Sequence, residues 1–266
     1  MNHLRIILLL LFIAFSGCEN EELLNPELSF KQKVVVSCQI SSVGFFSGVT
    51  LTRTLPLGVK FDISIAEIRN AILYLRINGF KIIPLHYTEN GLYKPLYELK
   101  ANEEEYYELF GEWETYRFYA ITKIPVKPVI KSVNFNATEF YAEANVNTFR
   151  DEVYSALWAV NIGTYDTPKD FYNIAVPQGE LQNNSIVLRS ASYPINYQTP
   201  VYNGRRYVRV YSFDRSYSDY FKTKDQTEDI NNPYVQGSGN TIWNVKGENV
   251  IGMFIGINKS DYIPVN

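Results

Sequence analysis

The chain of 266 residues carries 25 Lys and Arg against 28 Asp and Glu, a net charge of −3 with no Lys/Arg block, which argues against nucleic acid as a partner. Apolar residues make up 46%, enough for a sizeable core in one large or two modest domains. The 21 Tyr and 16 Phe suit half-buried pleated surfaces and lean the expected fold toward β structure.

Residues 1–17 read as a secretory signal: Arg5 supplies a positive start, Ile6 to Phe15 is an apolar run too short to span a bilayer, and Ser16 and Gly17 are small. A buried helix or an uncleaved anchor is the alternative, and the small pair ending in Cys18 fits it less well. Phe15-Ser16-Gly17-Cys18 resembles the lipobox of bacterial lipoproteins, with Phe15 where Leu is usual. That resemblance implies diacylglycerol transfer to the Cys18 thiol, cleavage before Cys18 and acylation of the new amine, for example with palmitate. More than one acyl chain is needed for stable anchoring, at ~0.8 kcal/mol per buried methylene. Residues 18–30 follow as an acidic tether. Glu19, Glu21 and Glu22 are a solvated segment on the plain reading. They also resemble the export tags of surface-exposed Bacteroidetes lipoproteins, which would place the protein in the outer membrane facing outward.

Residues 31–125 form a first unit of short strands, expected as an immunoglobulin-like β-sandwich. Its signals are KQKVVVSCQI (31–40), SGVTLTRTL (47–55), NAILYLRING (70–79), FKIIPLHY (80–87) and ETYRFYAITKI (114–124). Asn78-Gly79 and Asn90-Gly91 mark hairpin turns. The acid-rich stretch 100–114 reads as a short helix or a loop with a solvated acidic face. Pro125 and Pro128 suggest an extended connector and a domain border. Residues 129–266 are expected to form a second β-rich domain with strands near 129–146, 155–165, 184–193 and 205–214. One helix over 215–232 is marked by Tyr217, Tyr220, Phe221 and Lys224 at helical spacing, and a closing hairpin over 241–258 follows.

Residues able to do chemistry are sparse. Cys38 lies in a strand-like run and reads as a small core residue, with a Cys18–Cys38 disulfide as the competing reading that the lipobox disfavours. His86 is the one histidine beyond the leader and reads as structural. Asp225, Glu228 and Asp229 lack EF-hand spacing, and Gly237-Ser238-Gly239 lacks the helix and Lys of a phosphate cradle. No catalytic residue, metal site or cofactor is therefore expected. Trp113, Trp158, Trp243 and the tyrosines are core or cross-strand pairs on the plain reading, and a sugar- or peptide-binding platform on the functional one. The loop-like segment 193–207 is the best place for such a platform, with Tyr193, Tyr197, Tyr202, Arg205 and Arg206 as candidate ligand contacts.

Most of the chain beyond the leader resembles the Bacteroidetes lipoprotein family called domain of unknown function 4249. The resemblance is carried by KVVVSCQI (33–40), GVTLTRT (48–54), IRNAILYLRINGFKI (68–82), ENGLYKP (89–95) and the long closing segment 216–258. KGENVIGMF departs from an expected Gly-Gly pair. The resemblance implies a location and an architecture, and brings no catalytic residues. It implies a non-enzymatic, lipid-anchored outer-membrane accessory or binding protein of an envelope uptake system. Its partners would be an outer-membrane TonB-dependent receptor and a peptide or glycan ligand. A structural or adhesive envelope spacer is the alternative, and a hydrolase built on acids with His86 is the third reading.

Overall fold

The computed structural model describes residues 30–56, 58–149, 152–159, 174–175, 185–193, 206–224 and 241–265. The chain divides into Met1–Lys31, of which Phe30 and Lys31 are described and both exposed, and Gln32–Asn266, which holds the fold.

The strands follow the period-two burial that pleating imposes. Strand β1 (Val34–Ile40) buries Val34, Val36, Cys38 and Ile40 and is followed by β2 (Val49–Arg53). A one-turn helix α1 (Ile63–Ala66) comes next, capped by the Asp62 carboxylate, which accepts from the Ser64 N–H. Strand β3 (Ile72–Ile77) turns through Asn78 and Gly79 into β4 (Lys81–Tyr87). Both turn residues have positive φ, 49° and 80°, as the tight hairpin requires. The Asn90-Gly91 turn likewise leads into β5 (Leu92–Lys94).

The stretch expected as helix or loop at 100–114 is instead strand β6 (Tyr106–Trp113), paired with β7 (Tyr116–Lys123). Its inward residues are Tyr107, Leu109, Gly111 and Trp113. The glutamates alternate outward, so acid-rich composition masked an ordinary strand pattern.

Beyond the connector come β8 (Ile130–Asn136), β9 (Tyr141–Asn147), β10 (Glu152–Ala159), β11 (Ser185–Arg189), β12 (Arg206–Asp214), β13 (Val250–Lys259) and β14 (Ile263–Val265). Helix α2 (Tyr217–Thr223) realises the start of the expected helix, and 225–232 lies outside the described residues. No described helix is long and apolar enough to cross a membrane.

Among the described residues, eleven strands form one sheet in the order β10-β12-β13-β1-β2-β5-β4-β3-β6-β7, with β14 on β12. A second sheet runs β11-β9-β8. The fold is mainly β, with sandwich-like sheets. Strands β1 to β7, together with β13, pack around one core with Leu51, Leu75, Leu109 and Phe254 in it. The second sheet covers one face of β10 and β12 through Ala144, Val146, Tyr154 and Val210. Helix α2 covers the other face, where Tyr217 stacks on Phe213 at 4.1 Å.

Two expectations about layout meet a different arrangement. The Pro125–Pro128 connector breaks the chain between β7 and β8, but hydrogen bonding continues across that border. Strand β13 from the far end of the chain pairs parallel to β1, Val34 opposite Val250. Prolines report the local backbone and carry no information about a distant strand. The closing hairpin does not form as a two-strand ladder: β1 takes one edge of β13 over 250–256, and β12 pairs only with 257–259. Residues 241–249 reach the other edge of 250–256 by one long backbone bond, the Val245 N–H donating to the Gly252 carbonyl at 3.5 Å, and by a side chain, the Phe254 N–H donating to Asn244 Oδ1 at 2.8 Å. They reach β7 through a two-way backbone bridge between Lys246 and Tyr119.

Candidate functional site

The outer face of β3, β6 and β7 carries a row of aromatic rings. The ladders set Tyr74 opposite Phe110 and Phe110 opposite Tyr119. Tyr74 and Phe110 stack with centroids 4.9 Å apart and planes 11° from parallel, and Tyr119 tilts against Phe110 at 5.0 Å. Such rows stabilise a sheet face through cross-strand pairing.

Two residues further along, on the same face, sits a charged pair. Arg76 Nε donates to Glu108 Oε2 at 2.6 Å and Arg76 Nη2 donates to Glu108 Oε1 at 2.7 Å, a two-pronged contact. The Tyr119 hydroxyl donates to the same carboxylate at 3.1 Å. The Arg76 hydrogen bonds hold the Glu108 carboxyl below its ordinary range against the opposing effect of burial. Partial burial, then the bond to Glu108, pushes the Tyr119 hydroxyl up. The guanidinium also lies 4.8 Å from the Phe110 ring centre, a cation–π contact that fixes it over the aromatic row.

Tyr74, Phe110 and Tyr119 floor a hollow of about 370 Å³ walled by Ile72, Glu112, Arg117 and Lys246, with the Arg76–Glu108 pair outside its lining. The volume lies at the small end of the range for ligand sites. Gly111 and Phe118 complete it: the Phe118 ring lies where a Gly111 Cβ would be, so the sheet needs glycine there. The hollow offers aromatic and aliphatic surface, an Arg117–Glu112 ion pair at 3.4 Å and the Lys246 ammonium. It can hold an apolar group beside an acidic one, and it contains no nucleophile–base pair.

The candidates from sequence fall elsewhere. Tyr193 is interior, only 1% exposed, with its ring against Phe135 and its N–H donating to the Phe140 carbonyl at 2.7 Å. Burial pushes its hydroxyl upward. Arg206 starts β12 half-buried, with its guanidinium 5.8 Å from the Tyr193 ring and 5.3 Å from Phe135. Tyr193 and Arg206 therefore meet, but in packing rather than on an open surface. Tyr197, Tyr202 and Arg205 lie outside the described residues, as do Cys18, Glu19, Glu21, Glu22, Asp225, Glu228 and Asp229. Cys38 faces the main core and His86 is exposed on β4. Trp113 is buried with its indole N–H donating to Asn70 at 3.0 Å.

Tyr74 and Arg76 were visible in the alternation of NAILYLRING, but their partners Glu108 and Phe110 were hidden in the stretch expected as helix or loop. A test of 106–113 for period-two burial would have found them.

Fold and site together define a β-sheet protein with an aromatic, ion-paired hollow on one outer face. The chain belongs to the family described as Domain of unknown function (DUF4249), whose model matches residues 21–263. No curated protein matches the chain at a significant level.

Proposed function

We propose that the protein is a lipid-anchored lipoprotein of the outer membrane that acts without catalysis, holding a ligand for an envelope uptake system. Anchoring is supported by the leader and the lipobox-like Phe15-Ser16-Gly17-Cys18. Acids at Glu19, Glu21 and Glu22 support outward display. The ligand reading is carried by one observation, the hollow over Tyr74, Phe110 and Tyr119 with the Arg76–Glu108 pair at its side. Its aliphatic wall at Ile72 and the Lys246 ammonium, beside the paired Arg117 and Glu112, favour a short peptide bearing an apolar and an acidic side chain. A TonB-dependent receptor is the partner that such a holder would serve.

Peptide and glycan arrays probed with the Cys18→Ala protein and its Phe110→Ala derivative test this. Binding of acidic–apolar peptides that weakens about tenfold on loss of the Phe110 ring is the expected result. Glycan binding alone would replace the ligand class, and binding indifferent to Phe110 would remove the hollow from the function. Cys18→Ala should move the protein from the membrane to the soluble fraction, and trypsin added to intact cells should cleave the wild type.

A further inference from the structure

We infer that the end of the molecule carrying α1 docks against the lipid surface that holds the Cys18 acyl chains. This rests on the lipid-anchor reading and adds which face of the body meets the bilayer.

The folded body starts where β2 ends. The Lys33 N–H donates to Thr54 Oγ1 at 2.9 Å, and the Thr54 N–H donates back to the Lys33 carbonyl at 2.9 Å. The chain arriving from Cys18 thus joins the body directly beside the segment that leads to α1. Fully extended, Cys18 to Gln32 reaches at most ~50 Å, and this end is where that tether is attached.

That segment displays apolar side chains to solvent. Val59 is 46% exposed, Phe61 67% and Ile65 47%. They are held rather than loose. Asp62 caps α1, Ala66 anchors its inner side in the protein, and Arg53 donates from Nε and Nη2 to the Ile65 carbonyl at 3.1 and 2.9 Å. Lys33 and Lys60 are exposed beside them. An aromatic and two branched apolar groups with flanking lysines match the chemistry of an interface between acyl chains and anionic headgroups. The acyl anchor supplies a high local concentration, so shallow insertion of three side chains is sufficient to orient the body.

The opposite end supplies a built-in control. Phe80 lies on the β3–β4 turn, at the end of the sheet where β1 finishes, and is 77% exposed. Apolar exposure is therefore similar at the two ends, and only the α1 end adjoins the tether.

The test uses the acylated full chain in vesicles of phosphatidylethanolamine and phosphatidylglycerol. Phe61→Cys and Phe80→Cys are each labelled with an environment-sensitive fluorophore. Cys38, buried in the core, stays unlabelled in the folded protein. The expected result is a blue shift and loss of emission to doxyl-labelled lipid at position 61, with neither at position 80. An unquenched label at 61, on protein shown by mass to be acylated and by flotation to be vesicle-bound, overturns the docking and leaves the anchor standing. Equal quenching at both positions also overturns it. A label at 61 shifted by a co-purifying protein and not by vesicles would make this end a protein interface instead. Protein that is unacylated and does not float overturns the anchor reading and this inference together.

Discussion

Glu152 accepts a hydrogen bond from the backbone N–H of Val126 at 2.7 Å and so ties β10 to the connector that follows β7. Its other carboxylate oxygen accepts from the Tyr154 hydroxyl, and the Val126 carbonyl accepts from Ser212 at 2.9 Å. One buried carboxyl therefore fastens the two halves of the chain where prolines leave no ladder.

Burial raises the Glu152 pKa above the ordinary carboxylate range, with the Tyr154 and Val126 bonds opposing it. A raised folded-state pKa means the group's stabilising contribution is full below its unfolded pKa and is lost as pH rises through the folded value. Glu152→Gln keeps an acceptor without a charge. Its stability relative to wild type should therefore improve as pH rises from about 4 toward neutrality. Glu152→Ala should cost about 1–3 kcal/mol at acidic pH, because it leaves the Val126 N–H unsatisfied, and less as pH rises and the wild type loses its own contribution. Denaturant titrations of the three proteins at acidic and neutral pH check both. A wild type that gains on Glu152→Gln as pH rises would contradict the assigned direction.

Gly252 makes the parallel pairing of β13 with β1 possible. Its φ is +133°, and a Cβ there would stand 1.9 Å from the Val36 carbonyl oxygen, which is backbone and cannot move aside. Gly252→Ala should cost ~3 kcal/mol or more and sharply reduce soluble yield. Gly44→Ala is the control, with φ +81° and open space around it, and should cost only the ~1–2 kcal/mol of a left-handed backbone. Comparable losses at both positions, read by urea unfolding, would remove the close strand approach as the cause.

Local patterns were legible in the sequence. The alternation in ILYLRI set Leu73, Leu75 and Ile77, which are buried, apart from Ile72, Tyr74 and Arg76, and Asn78-Gly79 marked its own hairpin. What depends on partners was not legible. A parallel pairing of Val34 with Val250 leaves no local mark, because each strand shows only its own alternation. The arm before β13 looked like a strand because Ile242 and Val245 are apolar, while the choice of Asn244 as a side-chain clamp on Phe254 depends on the fold around it. The hollow was half legible for the same reason. Tyr74 and Arg76 were on view, and the register that sets them against Phe110 and Glu108 was not.

The Tyr74–Phe110 stack should behave as a coupled pair. In a double-mutant cycle with Tyr74→Ala and Phe110→Ala, the coupling energy should be about 0.5–1.5 kcal/mol. A ring pair that serves only the sheet would show that coupling with no change in ligand binding. The hollow assigned here predicts that each single variant also weakens peptide binding. Chemical denaturation gives the first quantity and titration calorimetry the second.

Cys38 should be silent as a thiol. It is 5% exposed, its side chain faces Val36, Ile40 and Phe254 in the main core, and burial holds its pKa far above that of a free thiol. In the Cys18→Ala protein a thiol reagent at mildly alkaline pH should leave Cys38 unmodified until denaturant is added, with a modification rate set by unfolding rather than by reagent concentration. Cys38→Ala should cost about 1 kcal/mol by loss of packing, and Cys38→Ser should cost more, because a hydroxyl there enters an apolar core. Rapid labelling of the native protein would mean that the strand edge at β1 opens, and with it the parallel pairing that joins the two ends of the chain.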